Sequence, residues 1–343
     1  MDKIHLALAF CDPKGTYCQH AAVTIASVFA NTQSPVCFHV LHDDTLTQDN
    51  KEKLEELAAD FKQEVDFINV GTMLDEGKIR PMNLGVQGAG PRGALFRFCL
   101  PYVLQEDKAI YFDCDIVCQL DITELWNIDL QEKSLAAVPD NHALNYLETG
   151  KVVSHKREVK LWNFLGIHYE KYFNSGVLVM NLKKMRDNNF MQRVEKAYQY
   201  FRECFVYNDQ DCLNYLFTDD MVVLPEKFNH VRFKNVGKEE LQGQIWHFAT
   251  LKPWEEYLRP NIDELYWKYI QLTPYCKGED ELITVMLKTI STSSALKHRH
   301  TSDCFRHIKK QIFQDIFHAH CWMPFYILVS KVRKSMAKSV CDE

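Results

Sequence analysis

The segment Ile110-Tyr111-Phe112-Asp113-Cys114-Asp115-Ile116-Val117 delivers two carboxylates, two residues apart, at the end of an apolar run. In extended backbone, residues i and i+2 point to the same side, so both side chains can reach one ion. Hard carboxylate oxygens suit Mg2+ or Mn2+, and these ions commonly bridge to phosphates. Two acids at a strand end also make an ordinary solvated turn. The pair therefore acquires chemical meaning only from its companions and from the elements that hold it.

Those elements alternate. Ile4 to Cys11 is a short apolar run, Ala21 to Ala30 reads as a helix, and Cys37 to His42 as a second strand. Thr47 to Phe61 is helical and opens on the cap-forming Thr47. Val65 to Val70 is a third strand, Arg92 to Leu104 is helical, and Ala109 to Phe112 runs straight into Asp113. Leu135 to Val138 and Val177 to Leu182 add two more strands. Strands alternating with helices over this length predict a mainly parallel sheet covered on both faces. In such sheets ligands bind where strands end, which is where Asp113 and Asp115 fall.

Three downstream segments accompany the acid pair. They are Lys171-Tyr172-Phe173-Asn174-Ser175-Gly176-Val177, Asn208-Asp209-Gln210-Asp211-Cys212-Leu213, and Trp246-His247-Phe248 followed by Lys252-Pro253-Trp254. Upstream lie Ala9-Phe10-Cys11-Asp12, Tyr17, and Leu95-Phe96-Arg97-Phe98. In this order, over about residues 4 to 254, the chain resembles the family 8 glycosyltransferases, the group with the lipooligosaccharide galactosyltransferases and glycogenin. It departs from the family pattern in two places. Pro13-Lys14-Gly15 looks like an insertion before Tyr17, and Ala249-Thr250-Leu251 fills a segment one residue shorter than usual.

The resemblance implies a GT-A fold: a Rossmann-like mixed α/β sheet flanked by helices. It implies a UDP-hexose donor (galactose or glucose), Mn2+ or Mg2+, and transfer with retention of anomeric configuration. The metal ligands would be Asp113, Asp115 and His247. Donor contacts would come from Asp12 and Tyr17 at the uracil, with Arg97, Cys114, Asn174, Ser175 and Lys252 around the diphosphate and sugar. Asp209, Gln210 and Asp140 would be the catalytic positions, with Asp209 on the sugar hydroxyls and Gln210 nearest the anomeric carbon. Gln210 is an amide and a poor nucleophile, which favours front-side attack over double displacement. The bacterial relatives imply a cell-surface glycan such as lipopolysaccharide as acceptor. The segment Asn141 to Tyr172 would shape the acceptor cleft, with His155-Lys156-Arg157 meeting an anionic glycan.

Composition narrows the alternatives. The 343 residues are 46% hydrophobic and 25% charged, ordinary for a folded protein. A net charge of −6 argues against a nucleic-acid partner. No run of about 18 apolar residues predicts a membrane span, and the start has no secretory pattern, which points to the cytoplasm. The twelve cysteines form no C-x-x-C pair and read as reduced, mostly buried thiols.

From Lys288 onward the balance is +6, against −12 for the rest. We therefore expect a catalytic domain over 1–254, a helical basic extension over 255–343, and a linker near Ser291 to Ser294. That extension suits either a peripheral contact with an anionic inner membrane face or a structural cap. Two rival functions remain. A phosphatase of the HAD type would use Asp113 as nucleophile and Asp115 as acid/base, with Asp219-Asp220 as a second metal motif. A non-catalytic UDP-sugar or glycan-binding module on the same fold would not need the acids intact.

Overall fold

The computed structural model describes residues 3–75, 92–140, 155–232, 235–249, 252–255 and 259–276. The expected linker, the basic tail and the residues 141–154 of the expected acceptor segment lie outside the described residues. Contacts divide the chain into one unit of Met1–Pro253 with Tyr257–Ile283, and a second of Trp254–Glu256 with Thr284–Glu343.

Nine strands are described: β1 (Ile4–Ala9), β2 (Val36–His42), β3 (Glu64–Asn69), β4 (Lys108–Phe112), β5 (Ile116–Cys118), β6 (Leu135–Pro139), β7 (Phe173–Asn181), β8 (Met221–Val223) and β9 (Ile245–His247). The longer helices are α1 (Cys18–Asn31), α2 (Gln48–Asp60), α3 (His155–Leu165), α4 (Phe190–Phe201), α5 (Asp209–Phe217) and α6 (Pro260–Ile270). Seven strands form one sheet in the order β3-β2-β1-β4-β7-β6-β8, and β5 pairs with β9 in a second, small one.

The large sheet is mainly parallel, with β7 antiparallel to both its neighbours, β4 and β6. Strand β1 is apolar at every position except His5. Leu6 and Leu8 pack into one core with α1 and α2, while Ala7 and Ala9 face the other with α4 and α5. A strand covered on both faces has no wet side to mark with polar residues.

Two expectations are corrected in detail. The strand expected over Val177–Leu182 begins earlier, at Phe173, so Asn174 and Ser175 lie on β7 itself. The helix expected over Arg92–Leu104 is three short turns, Arg92–Leu95, Phe96–Cys99 and Leu100–Val103. Pro101 has no N–H to continue an α-helical ladder through this segment. Gly93 is demanded by close approach, since a Cβ there would sit 2.7 Å from the Phe10 Cα and the Cys11 nitrogen. Packing the first turn this close to the end of β1 brings Arg97 beneath the acid pair.

The topology gathers the site. Strands β1, β4 and β6 all end on one side of the sheet, and antiparallel β7 begins there. The Asp113 N–H donates to the Gly176 carbonyl at 2.8 Å, and the Asp140 N–H to the Tyr172 carbonyl at 2.7 Å. Strand β9 adds His247 through its pairing with Ile116, just beyond Asp115.

Candidate active site

Asp113, Asp115 and His247 offer three ligand atoms that lie within 4.8 Å of one another. His247 Nε2 is 3.3 Å from Asp115 Oδ1 and 3.8 Å from Asp113 Oδ2. The ring is set by its other nitrogen, which lies 2.9 Å from Asn229 Oδ1. Asn229 Nδ2 in turn donates to Asn174 Oδ1 at 2.8 Å, which orients the Asn229 oxygen toward His247. A carbonyl oxygen only accepts, so the proton belongs on Nδ1 and the lone pair on Nε2 points at the two carboxylates. Gly176 makes the room: a Cβ there would meet the His247 ring at 2.2 Å.

Around this centre the charges are unequal. Asp113, Asp115 and Asp209 face Arg97 and Lys252, and Asp140 adds a further carboxylate across Gln210. Arg97 is buried and donates to Asp113 Oδ1 at 2.8 Å and to the Ser175 carbonyl at 2.8 Å. Its guanidinium also lies 3.3 Å from Asp209 and stacks over Tyr111 at 4.4 Å. Lys252 pairs with Asp115 Oδ2. Burial alone would raise the Asp115 pKa, but the Lys252 ammonium paired with it holds it well below the usual carboxylate range. Two carboxylates, one oriented imidazole lone pair and surplus negative charge are a donor set that fits Mn2+ or Mg2+.

Asp209 behaves differently. Burial pushes its pKa up to about 6, against the pull of Arg97. A carboxylate whose pKa is raised on folding makes its stabilising contribution at low pH and loses it as pH rises through the folded value. Asp209→Asn should therefore be more stable than wild type at pH 8, by on the order of 2 kcal/mol, and no more stable at pH 4. Thermal melts at the two pH values check this, and equal melting shifts at both would contradict the burial argument.

Gln210 is locked from four sides. Its Oε1 accepts from the Ser175 N–H at 3.0 Å and from Ser175 Oγ at 3.5 Å. Its Nε2 donates to Asp140 Oδ2 at 3.2 Å and to the Tyr172 hydroxyl at 3.0 Å. Behind it, Tyr172 donates to buried Asp211, which also accepts from Trp162 Nε1 and from the Val206 and Tyr207 N–H groups. Asn208, just before α5, has φ 45°. This sparsely populated geometry aims the first turn of α5 into the site.

Two residues expected at the donor have their side chains engaged within the fold. Asp12 is buried, and its two oxygens accept from the N–H groups of Thr16, Tyr17 and Cys18 and from Asn50 Nδ2. Four donors fill the acceptor sites of a carboxylate, so Asp12 holds the turn into α1 rather than offering an acceptor to a base. Cys114 turns its thiol into the core toward the Ala9 carbonyl, leaving only its main chain beside the site. Tyr17, by contrast, is 39% exposed and has the Phe10 and His20 rings beside it. Asn174 spends its Oδ1 on Gly176 N–H and Asn229, and Ser175 is held by Arg97.

Asn229, Tyr172 and Asp211 escaped the sequence reading as site residues. Asn229 sits in no motif, and only its distance from His247 in space gives it a role. Asp219 and Asp220, the acids the phosphatase alternative needs, pair with Lys171 and Lys184 instead. They join no metal-competent cluster with Asp113 among the described residues. Among the described residues Cys11, Cys18, Cys37, Cys99, Cys114, Cys118, Cys204 and Cys212 are free thiols, six of them buried.

A mixed α/β sheet carrying an acid–acid–histidine centre at its strand ends defines a GT-A sugar transferase architecture. The chain belongs to glycosyl transferase family 8, whose sequence pattern matches residues 9–257, and it is a glycosyltransferase. General stress protein A of Bacillus subtilis (strain 168) is 24% identical over 290 residues, covering 76% of this chain and 91% of that protein. A putative glycosyltransferase of Haemophilus influenzae is 27% identical over 213 residues, 62% of this chain and 60% of its own length. The chain thus spans less than two thirds of this second relative. The galactosyltransferase LgtC, solved with donor and acceptor sugar analogues, superposes with a TM-score of 0.63 at 20% identity. That alignment covers 82% of this chain and all of LgtC, and at this identity it speaks for the fold.

Proposed function

We propose that the protein transfers galactose or glucose from a UDP-sugar to a hydroxyl of a cell-surface glycan such as lipopolysaccharide, with retention and with Mn2+ or Mg2+. The observation that carries this reading is the convergence of Asp113, Asp115 and an oriented His247 beside Arg97 and Lys252. In this reading those three residues hold the ion, which when bound offsets the negative charge of the leaving diphosphate.

The chain's own groups do the rest. The exposed Tyr17 ring offers a face for the uracil. Lys252, paired with Asp115, supplies a second positive charge at the diphosphate. Arg97 keeps Asp113 and Asp209 at fixed separation. Gln210, held rigid by Ser175, Asp140 and Tyr172, positions the anomeric carbon, while Asp209 takes the sugar hydroxyls. With its amide oxygen already accepting from the Ser175 N–H, Gln210 supports a front-side attack by the acceptor rather than a covalent sugar intermediate. Asp140 and Asn174 border the side from which the acceptor would come.

Incubation with UDP-glucose, UDP-galactose and the UDP-N-acetylhexosamines, with and without Mn2+, tests this directly. UDP release from at least one donor, only with the ion, is expected. Release of phosphate from simple esters and none of UDP would replace this reading with a hydrolase.

We also propose that the basic residues beyond 287 bring the enzyme to the cytoplasmic face of an anionic membrane. Among the described residues no helix is long and apolar enough to cross a membrane. Lys309, Lys310, Lys331, Arg333, Lys334 and Lys338 flank the aromatic-rich stretch around Phe313, Phe317 and Cys321 to Val329. Each cation near such a surface contributes about 1 kcal/mol, screened by salt. The full chain should sediment with anionic vesicles at low salt and release at high salt. A chain ended near Ser291 should release UDP and stay in the supernatant. Aggregation of the shortened chain, with no sedimentation of the full one, would make the tail a structural cap.

A further inference from the structure

A second group of ligating side chains lies at the other end of the large sheet, away from the strand ends that carry Asp113 and Asp115. His5, near the start of β1, His39, within β2, and Glu106, in the turn before β4, offer ligand atoms within 4.8 Å of one another. His5 Nδ1 is 3.0 Å from His39 Nε2 and 3.6 Å from Glu106 Oε1. The two imidazoles are stacked, with centroids 5.3 Å apart.

The tautomer of His39 is fixed from behind. Its Nδ1 lies 3.2 Å from Asp66 Oδ2, on the neighbouring strand β3. A carboxylate only accepts, so the His39 proton sits on Nδ1 and the lone pair of Nε2 faces His5 and Glu106. A carboxylate behind the distal nitrogen of a histidine is the arrangement that orients metal-ligating imidazoles and raises their basicity.

The spacing suits a small divalent ion. Bonds of about 2.0–2.1 Å from two nitrogens at a tetrahedral angle separate those nitrogens by about 3.3 Å. The rings need to part by only a few tenths of an ångström. The surrounding charge is favourable as well: Glu64, Asp66 and Glu106 stand against Lys3, which is itself paired with Glu64. The side chains of His5 and Glu106 are 19% and 30% exposed, which leaves a path for an ion and room for a water as fourth ligand.

We propose that His5, His39 and Glu106 bind a zinc-class divalent cation, with Asp66 as the positioning residue. Two imidazoles and one carboxylate favour Zn2+ over the harder Mn2+ suited to the oxygen-rich centre of Asp113 and Asp115. The bound ion clips β1, β2 and the turn before β4 together at the end of the sheet remote from sugar transfer. The proposal is independent of the transferase reading.

Calorimetric titration of the full, chelator-stripped chain with Zn2+, in excess Mn2+ and UDP to hold the other centre, decides it. The His5→Asn/His39→Asn double variant should bind one fewer Zn2+ per chain than wild type. Asp66→Asn, an exposed change that leaves all three ligands, should weaken that equivalent 10- to 100-fold. A hydrogen bond between His5 and His39 satisfies the same contact with no ion. If that is its whole role, wild type and double variant will take up the same number of Zn2+ ions, or Asp66→Asn will leave every affinity unchanged, and either result overturns the site. Should the double variant fail to fold, Asp66→Asn decides alone.

Discussion

Asp115→Asn is expected to lower metal-dependent UDP release by about 10²-fold or more, with the secondary structure and melting cooperativity of wild type. Asp115 is buried, faces His247 Nε2 at 3.3 Å and pairs with Lys252 through its other oxygen. Asparagine keeps the volume but removes the charge, so the centre loses one of its two anionic ligands and Lys252 loses its ion pair with Asp115. Retention of most activity with Mn2+ would mean that the ion is held elsewhere. Circular dichroism of the variant separates a lost ligand from a lost fold.

Gln210→Ala is expected to reduce turnover by a similar order while changing UDP affinity little. The amide has four contacts, to Ser175 N–H and Oγ, Asp140 and Tyr172, and none to Asp113, Asp115 or His247. Its removal loosens the ground under the sugar and leaves the nucleotide end intact. A turnover loss is what a positioning group predicts. A rise in the UDP dissociation constant that matched the fall in turnover would move Gln210 to the nucleotide. A covalent sugar on Gln210, seen by mass spectrometry, would replace the front-side route with a double displacement.

Much of this is legible in the sequence alone. The alternation of strand and helix and the strand running into Asp113 pointed to a mainly parallel sheet with chemistry at its strand ends, and the order of the motifs resembled a family whose sheet is mixed. Short strands were not legible. Met221–Val223 and Ile245–His247 have three residues each, too few for a period to register, and β9 exists because it pairs with Ile116–Cys118. The antiparallel direction of β7 was also hidden, since a strand buried on both faces reads the same either way.

Within the site, side chains carried by a motif were legible, and those defined only by space were not. Asn229 is eighteen positions from His247 and touches it. Asp12 shows the reverse case. Its position after a strand matched a ligand contact, while the turn it closes consumes both of its oxygens. Loop composition cannot distinguish a carboxylate that caps a helix from one that awaits a ligand, because both want the same residue in the same place.

The claim at the centre of this account is that Asp113, Asp115 and His247 join a divalent ion to the diphosphate of the donor. Calorimetry of UDP binding to the full chain, in Mn2+ and in chelator, tests it most directly. One UDP per chain should bind in Mn2+ at least about tenfold more tightly than in chelator, and Asp115→Asn should erase the difference. Equal affinity for UDP in Mn2+ and in chelator, by the wild-type chain, would contradict it.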